Sequence, residues 1–149
     1  MKALAHVWKI GKLGIVLAVL ALVGGCSDGH PKRVQVAGTL TIDGKPLPNA
    51  ELRLIPAQGR PALATTDSSG HFNLWTFKPG DGAIPGTYTV TVVAYERRNA
   101  TTLRWLVPRK YELANKSGKT VTIDQPTEDL QIALTWGGTT PEFEHLPAQ

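Results

Sequence analysis

The chain has 149 residues, room for one domain and not comfortably for two, and its ordinary aromatic and charged fractions exclude wholesale disorder. The formal charge of +4 overstates the basicity of the folded part: Lys2, Lys9 and Lys12 lie in the leading segment, and subtracting these three from the 16 basic residues leaves 13 against 12 acidic ones. A surface so near neutrality is a poor match to a phosphate backbone, which sets nucleic acid aside as a partner.

Residues 1–25 divide into three parts. Lys2, Lys9 and Lys12 give a basic start, Leu13 to Val23 is an apolar run without a charge, and Val23-Gly24-Gly25 brings small residues up to Cys26. The run is too short to span a bilayer stably and has the proportions of a signal-peptide core. The order basic, apolar, small, Cys resembles a bacterial lipoprotein signal with its lipobox, here VGGC. That resemblance implies cleavage before Cys26, a diacylglycerol on its thiol and a further acyl chain on the new amino terminus. Several chains are what stable anchoring requires, because one binds only marginally. Cys26 is the only cysteine, so no intramolecular disulfide can form. The competing reading is an ordinary secretory signal cut elsewhere, with Cys26 an unpaired thiol. Ser27 after the cysteine, in place of Asp, implies on the same resemblance an outer-membrane destination in a Gram-negative envelope.

The polar stretch up to Arg33, with Gly29 and Pro31, reads as a tether over 26–33. Val34 to Ile42 then alternates, with Val34, Val36, Leu40 and Ile42 on one face, as a half-buried strand must. Gly38 falls on that apolar face, where a missing side chain lets a neighbour pack close. Asp43-Gly44-Lys45-Pro46 is a turn by its chemistry. Ala50 to Ile55 places Leu52 and Leu54 inward, and Pro56 ends it. Ala62 to Thr66 reads as an edge strand and Asp67-Ser68-Ser69-Gly70 as the next turn. His71 to Phe77 follows, with Phe72 and Leu74 inward and Trp75 outward.

The Pro- and Gly-rich turn Lys78 to Gly86 opens the strongest strand of the chain, Thr87 to Tyr95. Tyr88, Val90, Val92 and Ala94 share its inner face, and Tyr88 is expected to anchor the core. Glu96 to Arg109 has no clear period and reads as a basic loop. Lys119 to Ile123 and Asp129 to Thr135 are the last two strands, and 136–149 reads as a flexible tail. About seven strands joined by tight turns, with no amphipathic helix, predict one all-β antiparallel sandwich over 34–135.

Four pieces line up with one family: VAGTLTIDGKPLPNAELRLIP from Val36, TTDSSGHFNL from Thr65, FKPGDGAIPGTYTVTV from Phe77 and VPRKYELANKSGKTVTI from Val107. Together they resemble the carboxypeptidase regulatory-like, or transthyretin-like, domain as found in small lipoproteins of planctomycete-type bacteria. The resemblance implies an Ig-like/transthyretin-like β-sandwich, a lipid anchor, and an accessory or structural module.

The residues supply no catalytic constellation. His30, His71 and His145 fall on the tether, a strand and the tail, without metal-ligand spacing. The serines lie in polar loops without a nucleophile elbow. Asp67 and Asp81 sit in turns that lack a full calcium-loop pattern. No enzyme activity, metal or cofactor is therefore expected. The best candidate surface is Arg97, Arg98, Arg104 and Trp105, with Trp75 as an outward aromatic. Those groups could grip an envelope protein or an acidic glycan; the plainer alternative is a solvated loop. The expected function is a non-catalytic, lipid-anchored envelope module for structure or protein contact, with carbohydrate or solute binding as the second reading. Its expected place is the outer membrane, facing the periplasm, held by lipid on Cys26.

Overall fold

The computed structural model describes residues 29–139 and 141–147. The signal-peptide reading of 1–25 and the lipidation of Cys26 lie outside those residues. The described chain is an all-β sandwich. Its strands are β1 (Val36–Ile42), β2 (Lys45–Pro46), β3 (Glu51–Pro56), β4 (Ala62–Thr65), β5 (His71–Asn73), β6 (Gly86–Val93), β7 (Tyr95–Asn99), β8 (Thr102–Trp105), β9 (Thr120–Ile123), β10 (Thr127–Leu134) and β11 (Phe143–His145). A 3-10 turn at Arg109–Glu112 and one helical turn at Ala114–Ser117 join β8 to β9.

One sheet is β4-β3-β6-β9, antiparallel throughout. The facing sheet is built on β1, with β10 on one side and the short β2 and β5 on the other. The period of two in the sequence is visible in the packing. Leu52, Leu54, Tyr88, Val90, Val92 and Ile123 from the first sheet meet Val36, Leu40, Phe72, Ile132 and Leu134 from the second. Tyr88 is 3% exposed and Phe72 1%. Burying side chains of this size is the main force holding the sheets together, at about 1.5–3 kcal/mol each.

The pairing of β1 with β10 is parallel, a departure from the expected all-antiparallel sandwich. The two strands stand almost a whole domain apart in the chain, so no local turn dictates their relative direction. Gly38 makes the pairing possible. A Cβ there would lie 2.0 Å from the carbonyl oxygen of Leu130 on β10, and the ladder shifts register between Val36 and Gly38.

The turns follow their chemistry. Asp43 and Gly44 both have left-handed φ, 46° and 76°, the two-residue pattern that closes a twisted hairpin between β1 and β2. The Asp67 carboxylate accepts from the Ser69 N–H at 2.8 Å, the Ser69 hydroxyl at 2.7 Å and the His71 N–H at 3.0 Å. The Ser69 hydroxyl and then those backbone bonds hold its pKa below the ordinary carboxyl value.

Four further expectations change. The strand read over His71 to Phe77 is ladder only to Asn73. There the chain changes sheets: Leu74 donates to Val36 at 2.9 Å, and Trp75 then exchanges both backbone bonds with Leu63 of β4. Alternation survives the crossing, so the period alone cannot reveal it. The stretch from Glu96 to Arg109, read as an irregular loop, forms β7 and β8. The segment read as a loose tail contributes β11, and the order β11-β8-β7 makes a third, small sheet. The compact unit also begins before Val34, at Pro31, so Arg33 belongs to the domain and not to the tether.

Candidate functional site

The three-stranded sheet carries most of the residues singled out from the sequence. Strand β7 follows β6 after a single residue, Ala94, whose carbonyl accepts from Leu106 at 2.9 Å. At the hairpin tip the Asn99 side chain accepts from the Thr101 N–H at 2.9 Å, and Arg97 donates to the Ala100 carbonyl at 3.2 Å. Such Asx geometry is what Asn supplies in a tight turn.

Register sorts the side chains into two faces, because partners directly opposite in a ladder point the same way. One row runs Glu96, Arg104, Phe143. There the Glu96 carboxylate meets Arg104 at 3.1 Å and Arg98 at 3.3 Å, while Phe143 is 59% exposed. The other face carries Tyr95 opposite Trp105, and Leu103 between Arg97 and Glu144.

Trp105 is not the exposed gripping aromatic expected from the sequence. It is 5% exposed, its indole N–H donates to Glu144 at 3.0 Å, and the Arg109 guanidinium lies 4.8 Å from its ring. Glu144 comes from β11 and Arg109 from the 3-10 turn, both remote in sequence. Residues near Trp105 in the chain therefore gave no sign of its burial. Among the described residues the exposed aromatics are instead Phe143 and Tyr95, the latter 50% exposed and 5.7 Å from Trp105 ring to ring. Strand alternation could have found Tyr95 had β7 been recognised. Phe143 carries no such signal, since three residues are too few for a period. Arg97 and Arg98 are exposed as expected, whereas Arg104 is half-buried against Glu96.

Trp75 stands apart from this sheet. It borders a depression of about 170 Å³ over the outer face of β3 and β4, shared with Glu51, Arg53, Leu63 and Thr65. Trp75 and Phe77 are both half-buried. The Phe77 ring is held by two guanidinium groups, Arg33 at 5.1 Å and Arg60 at 5.3 Å, so it does not extend Trp75 into a row of free aromatics.

Beside Phe77 lies the most heavily bonded carboxylate of the described residues. Asp81 accepts backbone N–H groups from Thr76 at 2.7 Å, Phe77 at 3.2 Å and Lys78 at 3.2 Å. Arg33 Nε approaches it at 3.1 Å, with the two side chains 12% and 5% exposed. Burial alone would raise the Asp81 pKa. The bonds from Thr76, Lys78 and Phe77, with the charge of Arg33, outweigh burial and lower it. This pair fastens the entering chain to the 78–86 turn, and the Val34–Ala83 bridge continues the seam.

Among the described residues no group of three or more His, Cys, Asp or Glu side chains is placed to hold a metal ion. Compared with protein-family models, with curated proteins and with solved structures, the chain matches none.

Proposed function

We propose that this chain is a non-catalytic, lipid-anchored module of the bacterial cell envelope that binds a protein through the β7-β8-β11 sheet. The observation that carries the reading is the 50% exposure of Tyr95 on β7, an outer strand of that sheet, with Arg97 on the same face. Exposed aromatics beside arginines are the usual anchors of protein contacts, and an outer strand offers backbone groups to an incoming chain. Arg97 and Arg98 add positive charge along the same edge. The anchor is supported by the basic, apolar, small, Cys order ending at Cys26. The carboxypeptidase regulatory-like resemblance supports an accessory role at the outer membrane, facing the periplasm.

The test is crosslinking of the lipidated protein in cells, followed by mass spectrometry of what is captured. One envelope protein captured repeatedly, lost with Tyr95→Ala and kept with Phe143→Ser on the opposite face, supports the reading. Capture that is unchanged by Tyr95→Ala refutes this surface. Cys26→Ala held in the same compartment is the control for the anchor.

A second reading is favoured by the depression beside Trp75. A half-exposed indole flanked by Arg53, Glu51 and Thr65 offers a sugar ring one stacking face and several hydrogen-bonding groups. Titration with envelope glycans, compared between the unaltered protein and Trp75→Ala, tests it. Identical heats for both proteins remove it.

A further inference from the structure

The backbone of β7 is open on the side away from β8. The Ala94 carbonyl accepts from the Leu106 N–H at 2.9 Å, and Trp105 sends its own N–H the other way, to the Glu142 carbonyl at 2.9 Å. Along an antiparallel pair, bonded and unbonded partners alternate from one residue to the next. Ala94 and Glu96 therefore face β8, while Tyr95, opposite Trp105, and Arg97, opposite Leu103, turn their N–H and C=O groups outward. None of these outward groups has a hydrogen-bond partner among the described residues. The ladder bulges between Arg97 and Asn99, so the open edge is one regular stretch, Tyr95 to Arg97. Two other outer edges are partly occupied by the chain itself. Trp75 exchanges both backbone bonds with Leu63 on β4, at 2.8 and 2.9 Å. The Tyr111 hydroxyl bonds the Thr135 backbone at the end of β10, and the Gln131 amide donates to the Asp129 carbonyl within it.

The two open residues share one face, and their side chains are only partly engaged. The Tyr95 ring is exposed on the side away from Trp105. Arg97 meets no carboxylate among the described residues; its guanidinium donates to the Ala100 carbonyl. The carboxylates around it are placed elsewhere. Glu96 points to the opposite face, where Arg98 and Arg104 share it. Glu142 and Glu144 lie beyond β8, two strand spacings or about 10 Å from β7, and Glu144 is bonded to the Trp105 indole and stands 3.8 Å from Arg109. Glu51, opposite the last residue of β6, stands 3.9 Å from Arg53.

We infer that the partner adds an extended strand of its own to β7, antiparallel, with an acidic side chain opposite Arg97 and an apolar or aromatic one opposite Tyr95. The inference rests on the protein-binding reading of this sheet and names the form of the partner. Unpaired N–H and C=O groups at the strand repeat match another extended backbone; neither a sugar nor a helix presents groups at that repeat. Antiparallel addition continues the directions of β7, β8 and β11, and it lets Tyr95 and Arg97 each exchange both bonds with the residue opposite. Opposite residues point the same way, so the incoming strand reads, in its own chain direction, acidic residue, any residue, apolar residue. The backbone bonds supply affinity and Arg97 supplies the charge preference.

The test uses the full chain in detergent micelles, with the capped peptide Thr-Thr-Glu-Val-Tyr-Thr-Thr as the incoming strand. Binding and amide exchange are read together by NMR. The Tyr95 and Arg97 N–H groups, unprotected in the free chain, are expected to exchange at least about tenfold more slowly with the peptide bound. A peptide with Lys in place of its Glu binds about fivefold more weakly, the scale of a cross-strand charge pair turned from attraction to repulsion. Arg97→Glu reverses that preference and Arg97→Ala removes it, while the amide at position 97 stays protected in both. Methylating the peptide nitrogens of its Glu and Tyr, which point at β7, abolishes binding. Three results overturn strand addition: no slowing at Tyr95 and Arg97 with the Glu peptide, slowing at β9 or β10 instead, or undiminished binding of the methylated peptide. If cellular capture is nonetheless lost with Tyr95→Ala, the protein-binding reading stands without it. Capture unchanged by Tyr95→Ala removes both together.

Discussion

Asp81→Asn tests whether the seam at the domain entrance is an electrostatic latch. The carboxylate gathers three backbone N–H groups and Arg33 within 3.2 Å. An amide keeps one acceptor oxygen, enough for the Thr76 N–H, and turns an NH₂ toward the remaining donors. Arg33, 12% exposed, loses the Asp81 charge that lies 3.1 Å from its Nε. Breaking a buried pair from one side costs ~3–5 kcal/mol. Contact of Arg33 with Phe77 and its residual exposure place the expected loss near the lower end, about 3 kcal/mol, or about 12 °C in Tm for a domain of this size. Arg33→Gln costs less, since Asp81 keeps its backbone donors. The double variant falls short of the sum of the singles by ~1–2 kcal/mol, because both remove the same interaction.

The same latch has a pH signature. The folded carboxyl has a lowered pKa, so above the ordinary value of about 4 both states are ionised and the stabilisation is complete. As pH falls below that value the unfolded chain binds its proton first. The contribution then shrinks until the folded carboxyl is itself protonated. The stability gap between the unaltered protein and Asp81→Asn therefore narrows on acidification. Urea titrations at pH 7 and at successively lower pH read it directly. A Tm change under about 3 °C at pH 7, or a gap that stays constant on acidification, would show that the backbone of the 78–86 turn holds without the charge.

Other substitutions probe the fold at separate points. Gly38→Ala sets a Cβ against the Leu130 backbone and is expected to cost about 3 kcal/mol, the upper part of the overpacking range; amide exchange should quicken in β10 first. Thr66→Val keeps the shape of a 2% exposed side chain. It removes the bonds to the Ala50 N–H at 2.8 Å and the Leu47 carbonyl at 2.7 Å, for a loss of ~2–4 kcal/mol by chemical denaturation. Tyr88→Ala, which empties a core position and drops the hydroxyl bond to the Ile84 carbonyl, should cost ~3–5 kcal/mol, and an unchanged melt would remove Tyr88 from the core.

Much of the sandwich was legible because a strand with one buried face writes its period into the sequence. Leu52 and Leu54, Tyr88 to Val92, and Ile132 with Leu134 alternate as they pack, and the Pro and Gly positions mark where the ladders stop. Gly38 could be read as a place of close approach. The candidate surface was legible only in part. Arg97 and Arg98 were found as exposed charge, but their strand was hidden, because an edge strand with charged side chains has no apolar alternation to display.

What only the tertiary structure decided are the pairings between residues distant in the chain. The parallel partnership of β1 and β10 has no adjoining turn to encode it. Trp105 is buried by Arg109 and by Glu144, so its environment is absent from its own neighbourhood in sequence. The β11 strand exists because β8 offers it an edge, and Phe143 takes its exposed place on the sheet only through that pairing. Local chemistry fixes periods and turns; which strands meet, and which aromatics remain in water, depends on the free energy of the whole packed arrangement.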